Sequence, residues 1–120
     1  MGSYKEIKHL KVLIPSLRIK KRYVGVRIIS EQKIEYEEFE KCFWQNLYKL
    51  FGVFGSAYFN LKILKETFKN NSVIIRCNHN STHFLITSLG FLREINGKKV
   101  NFEIVRVSGS IKKVKEFLKI

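Results

Sequence analysis

The chain has 120 residues, 45% of them apolar, with 23 Lys and Arg against ten Glu and no Asp. That apolar content and ten Phe exclude a disordered tail, and the length fits one domain with its own core. A formal charge of +13 makes a polyanion the expected partner, nucleic acid before an anionic membrane surface or an acidic protein.

Residues 1–20 read as a basic N-terminal arm with a short apolar patch, Leu10 and Val12 to Ile14, closed by Pro15. Lys8, His9 and Lys11 interrupt what a signal peptide would need as an apolar core. Glu6 stands where a myristoylation signal wants Ser or Thr, and Gly2-Ser3 is open to reading as a cloning remnant. Two cysteines, Cys42 and Cys77, are too few to frame a small secreted fold and point to a reducing compartment. No apolar run approaches the roughly 20 residues of a membrane span.

The core is expected over residues 21–109. Tyr23 to Ser30 alternates, with Val24, Val26 and Ile28 on one face, which predicts a strand. From about Glu35 to Phe51 the period becomes helical, with Phe39, Phe43, Leu47 and Leu50 on one stripe and Gly52 as the stop. Glutamates crowd the first turns, where the helix dipole favours them. Tyr58 to Thr67 alternates again, with Phe59, Leu61 and Ile63 inward; Lys69 to Ser72 is a turn, and Val73 to Asn78 completes a hairpin. Asn80-Ser81 can cap a second helix running to about Ile95. Asn96-Gly97 marks a turn before a fourth strand, Val100 to Ser108, whose alternation slips between Ile104 and Val105 and so predicts a bulge. A last helix, residues 110–120, starts at Ser110 with Ile111, Val114, Phe117 and Leu118 on one side.

This order, β-α-β-β-α-β plus a terminal helix, predicts an α+β fold: a ferredoxin-like, RRM-like sandwich with a four-stranded antiparallel sheet and two helices on one face. The first and third strands would be central. Arg27, Arg76, Lys62 and Arg106 would then make the opposite, open face basic, with Ile29, Leu64 and Ile74 interspersed. The third strand, Ser72 to Cys77, carries no aromatic, so base stacking on the sheet is disfavoured and backbone contacts to a folded RNA fit better.

Two clusters carry the charge. Arg18, Lys20, Lys21 and Arg22 abut the first strand and read either as RNA contacts or as a solubilising run. Lys112 and Lys113 occupy the first turn of the last helix, where cations oppose the dipole unless a phosphate is bound; the other reading is a solvated lysine-rich end. Cys77, His79 and His83 offer three metal ligands but no fourth at a recognisable spacing, and packing and surface roles serve as well. Trp44 and Tyr48 are either core flank or protein contact. The apolar residues of the open face would be covered by the terminal helix or by a partner.

Three segments carry a family likeness: Pro15-Ser-Leu-Arg-Ile-Lys-Lys-Arg-Tyr23, Ile74-Ile-Arg-Cys77 and Arg106-Val-Ser-Gly-Ser-Ile-Lys-Lys113. Together they resemble the small protein subunit of archaeal and eukaryotic ribonuclease P, protein component 2 of the archaeal enzyme, over about residues 13–115. Ser110 departs from the Thr usual in the family's Ser-Gly-Thr, and either residue caps a helix.

The resemblance implies a subunit of a ribonucleoprotein that removes the 5′ leader of precursor tRNA. It also implies that the RNA holds the active site with Mg²⁺, that the protein has no catalytic residue and binds no cofactor or metal of its own, and that its partners are the ribonuclease P RNA, precursor tRNA in the assembled complex, and a larger TIM-barrel-like subunit, component 3. Arg18, Lys20, Lys21, Arg22, Arg27, Arg76, Arg106, Ser108, Lys112 and Lys113 become candidate RNA contacts. Self-association stays open. The implied location is the cytoplasm, or the nucleolus in a eukaryote. Two other readings compete: a generic RNA-binding module such as a ribosomal protein, and a metal-independent nuclease using His79, His83 and a lysine for acid–base work.

Overall fold

The computed structural model describes residues 20–119. β1 (Lys21–Ile29) leads into a long helix, α1 (Tyr36–Phe59), then the hairpin of β2 (Lys62–Lys69) and β3 (Ser72–Asn78). A single 3₁₀ turn (His79–Ser81) opens α2 (Thr82–Phe91). Two short strands, β4 (Glu94–Ile95) and β5 (Lys98–Lys99), precede β6 (Asn101–Ser108) and the final helix α3 (Ile111–Leu118). The main sheet has the order β2-β3-β1-β6, antiparallel throughout, so β1 and β3 are central as the ferredoxin-like pattern requires.

The alternating residues of the strands divide the protein into two cores. Val24, Val26, Ile28, Val73, Ile75 and Cys77 face α1 and α2, whose Phe39, Phe43, Leu85 and Leu89 complete the larger core. On the other face, Leu64 and Ile74 pack against Val114 and Leu118 of α3. The sheet face expected to lie open is therefore covered along its middle by α3, whose apolar stripe is of the width an amphipathic helix buries. Ile29, beyond the helix, stays exposed.

The bulge falls where the alternation slips: Gly25 pairs with Arg106 and Val26 with Ile104, so Val105 is the extra residue. Asn70 and Asn71 take positive φ (50° and 57°) in the β2–β3 turn, the conformation that a two-residue hairpin loop of type I′ needs.

Two element boundaries differ from expectation. Gly52 does break the helix, with φ 73° and ψ 176°, but the chain resumes helical geometry and runs on to Phe59. Phe59 is thus a helix residue rather than the start of a strand; its ring stacks on Phe84 at 4.8 Å and meets Phe51 edge-on at 5.0 Å. This aromatic packing between α1 and α2 outweighs the local alternation that suggested extended chain. The second helix ends at Phe91 instead of Ile95, because Asn96-Gly97 forms a tight turn that pairs Glu94 with Lys99 and Ile95 with Lys98. The small hairpin is tied to the start of α1 by Glu38, whose carboxylate accepts from Lys98 Nζ (3.1 Å), Asn96 Nδ2 (3.2 Å) and the Glu35 N–H (3.1 Å).

Candidate RNA interface

Antiparallel pairing brings the start of β1, the end of β3, the start of β2 and the end of β6 to one end of the sheet. Lys62, Arg76, Tyr23 and Ser108 are successive cross-strand partners there. The β1 edge continues one residue further, since the Lys20 carbonyl accepts from the His79 N–H at 2.8 Å. α3 starts at the same end. The two basic clusters, about 90 residues apart in sequence, therefore meet in space.

Their local chemistry is specific. Arg22 reaches Gly109: a Cβ at residue 109 would lie 3.3 Å from Arg22 Nη1. The same nitrogen donates to the Lys21 carbonyl at 3.2 Å. Ser108 Oγ accepts from the Ser110 N–H at 3.1 Å, and Ser110 Oγ accepts from the Lys113 N–H at 3.5 Å, so both hydroxyls shape and cap the entry to α3. Lys112 and Lys113 are exposed in the first turn of that helix, which carries no acidic residue. Arg76 is half-buried, and its Nε meets no acceptor among the described residues.

Among the described residues, the segments that build this end are free of carboxylates, and Glu116 follows one turn later on α3. Residues 20–23, 47–62, 76–84 and 106–113 contain no Asp or Glu. The ion pairs among the described residues are Arg27–Glu103, Lys33–Glu35 and Lys98–Glu38, all toward the opposite end, where Glu31 to Glu40 also lie. The charge segregation of the sequence thus becomes a polarity of the molecule along the strands, a length of about 25 Å for an eight-residue strand. A hollow of about 740 Å³ lined by Lys33, Glu35, Tyr36, Glu37, Phe68 and Asn70 belongs to the acidic end and takes in none of the cations of the basic end.

The expected contacts do not all gather. Lys20, Lys21, Arg22, Arg76, Ser108, Lys112 and Lys113 share the basic end. Arg27 lies away from it, its guanidinium 2.7 Å from Glu103 Oε1. Arg106 sits over the Phe117 ring, 4.5 Å from its centroid, where it helps hold α3 on the sheet. The sheet presents no open basic platform among the described residues, contrary to the sequence expectation, since α3 occupies that face. Arg18 lies outside the described residues.

Cys77 is fully buried, and burial pushes its thiol up to about 11. Among the described residues, no three His, Cys, Asp or Glu side chains gather as metal ligands. No helix among them is long and apolar enough to cross a membrane.

The sequence pattern did not disclose two exposed rings, Phe54 and Tyr58, on the part of α1 beyond Gly52. Their four-residue spacing is helical, but Gly52 and Gly55 flank Phe54 as chain breakers and Tyr58 opens an alternating run.

The family model for the Rpp14/Pop5 family matches residues 22–119, nearly the whole described chain. The chain belongs to this family. It is 34% identical over 105 residues to ribonuclease P protein component 2 of Pyrococcus furiosus, covering 88% of both chains. Against the Methanosarcina mazei protein of the same name it is 33% identical over 107 residues, 89% of this chain and 90% of the relative. A chain in the cryo-EM structure of yeast ribonuclease MRP has the same fold, with a TM-score of 0.63 over 83% of this chain and 86% of its own, at 17% identity. The family match covers Arg22, Arg76, Arg106, Ser108, Lys112 and Lys113, and stops short of Arg18, Lys20 and Lys21.

Proposed function

We propose that this protein is the small protein subunit of a ribonuclease P, assisting a catalytic RNA in removing the 5′ leader from precursor tRNA. The observation that carries the reading is the basic end, where cations from β1, β2, β3 and α3 converge, in a chain whose archaeal relatives are ribonuclease P protein component 2. Such an end neutralises phosphates and releases their counterions, an interaction that falls steeply with salt. The unopposed first turn of α3 adds backbone N–H donors to Lys112 and Lys113, so a phosphate there reverses the cost of placing cations at a helix start.

The protein contributes positioning and charge rather than a reacting group. Placed against a folded RNA, its cations lower the repulsion between RNA helices and a bound precursor, and they steady phosphates that hold Mg²⁺. The metal belongs to the RNA. A larger protein subunit of the component 3 type is the protein partner in this reading, and the cytoplasm is the place of action.

The test is precursor-tRNA cleavage by a reconstituted ribonuclease P RNA with the larger subunit, at limiting Mg²⁺, with and without this chain. A large rate increase that requires the chain establishes the role. Intact RNA binding with no effect on cleavage returns the protein to the class of general RNA-binding modules.

A further inference from the structure

The segment of α1 beyond Gly52 presents Phe54 and Tyr58 one helical turn apart on a single face, 94% and 64% exposed. Scattered apolar residues on a surface need no occupant, whereas large rings side by side form the kind of patch that marks a contact site. The helical segment under them is held firmly. Ser56 donates its hydroxyl to the Gly52 carbonyl at 2.7 Å, and the Phe59 ring stacks on Phe84. The Tyr58 carbonyl accepts from Asn78 Nδ2 at 3.1 Å, which fixes this turn to the end of β3.

That anchor places the turn that carries the rings at the basic end. Asn78 is the cross-strand partner of Lys21, His79 bonds the Lys20 carbonyl, and Lys62 follows Tyr58 by four residues. Flat apolar rings on a turn bonded to this basic end, whose described segments hold no Asp or Glu, suit a ligand that is itself a polyanion carrying flat rings. An apolar protein surface would match the rings but gain nothing from the charge.

The sheet cannot supply stacking in their place, because β3 has no aromatic and α3 covers its open face. We infer that Phe54 and Tyr58 stack unpaired bases of the bound RNA while Lys20 and Lys62 meet the adjoining phosphates. The inference rests on the RNA-binding reading above and names the part of the RNA that this end takes: a single-stranded loop, bulge or end, whose bases are free to stack.

The experiment compares the affinity of the full chain for a short oligoadenylate and for an abasic ribose-phosphate chain of the same length, over a salt series. The wild type should prefer the base-bearing chain, and Phe54→Ala/Tyr58→Ala should lose about tenfold or more of its oligoadenylate affinity with the salt slope unchanged. Phe54→Trp/Tyr58→Trp should keep the preference. In Phe54→Trp alone, the added indole fluorescence should be quenched by oligoadenylate and not by the abasic chain, a readout that needs no truncation. Equal affinity of the wild type for both chains, or a preference that survives the double alanine change, overturns the inference. So does a double variant that binds both chains normally yet fails to join the larger protein subunit, since the rings are then a protein contact. Absence of salt-dependent binding to either chain by the wild type instead removes the RNA-binding reading itself.

Discussion

Gly25 lies directly beneath Val114: a Cβ at residue 25 would come within 2.7 Å of Val114 Cγ1 and 3.2 Å of Leu118 Cδ1. Gly25 is where β1, at the centre of the sheet, lets α3 lie flat on it. Gly25→Ala should therefore destabilise the protein by about 1–3 kcal/mol, the usual cost of overpacking. Val114→Ala added to it should cost less than the two single changes together, because it removes the clashing methyl groups. Denaturant unfolding of the four proteins measures the coupling; strict additivity means that the helix does not depend on this contact.

Lys112 and Lys113 are exposed and take no part in either core, so replacing both by Ala should leave the melting temperature nearly unchanged. Binding to the RNA partner should lose about one unit of salt slope per lysine, and reconstituted cleavage should need more Mg²⁺. An unchanged Mg²⁺ curve would show that these side chains do not act on phosphates near the metal.

At Gly52 the backbone sits at φ 73° and ψ 176°, a region that side chains rarely enter, and nothing lies within 4 Å of a Cβ there. The cost of Gly52→Ala is thus purely conformational, about 1–3 kcal/mol by thermal or denaturant melting. A neutral result would mean that α1 straightens through this position at little cost.

Glu38 has its carboxyl held below the usual range, first by the Glu35 backbone N–H, then by Asn96 and Lys98. A folded pKa below the unfolded one gives stability that is fully present above the ordinary carboxylate value of about 4.3 and is lost as pH falls through the depressed pKa. Glu38→Gln should therefore melt below wild type at pH 7, and the gap should close in acid below pH about 4. A gap independent of pH would show that the hairpin is held by the shape of the side chain rather than by its charge.

Much of this protein is written locally. Period-two alternation in Tyr23 to Ser30 and Val73 to Asn78, Asn-Asn and Asn-Gly at the turns, and Ser110 ahead of an amphipathic stretch each act through neighbours in the chain. The strand order and the bulge opposite Gly25 followed from them. So did the choice of polyanion partner, since net charge does not depend on the fold.

What the chain could not settle locally was decided by packing between distant segments. The run from Gly52 to Phe59 offers both a helical and an extended pattern, and only the stacking of Phe59 on Phe84 selects the helix. Leu64 and Ile74 look exposed until Val114 and Leu118 cover them. The candidate RNA contacts lie in two separate clusters and on three strands, yet antiparallel pairing alone sets Arg22 against Gly109 and sends Arg27 to Glu103. Sequence fixes which groups a chain carries and their local geometry. Which charges end up adjacent, and which stay unpaired, depends on strand register and burial, because these act between residues that only folding makes neighbours.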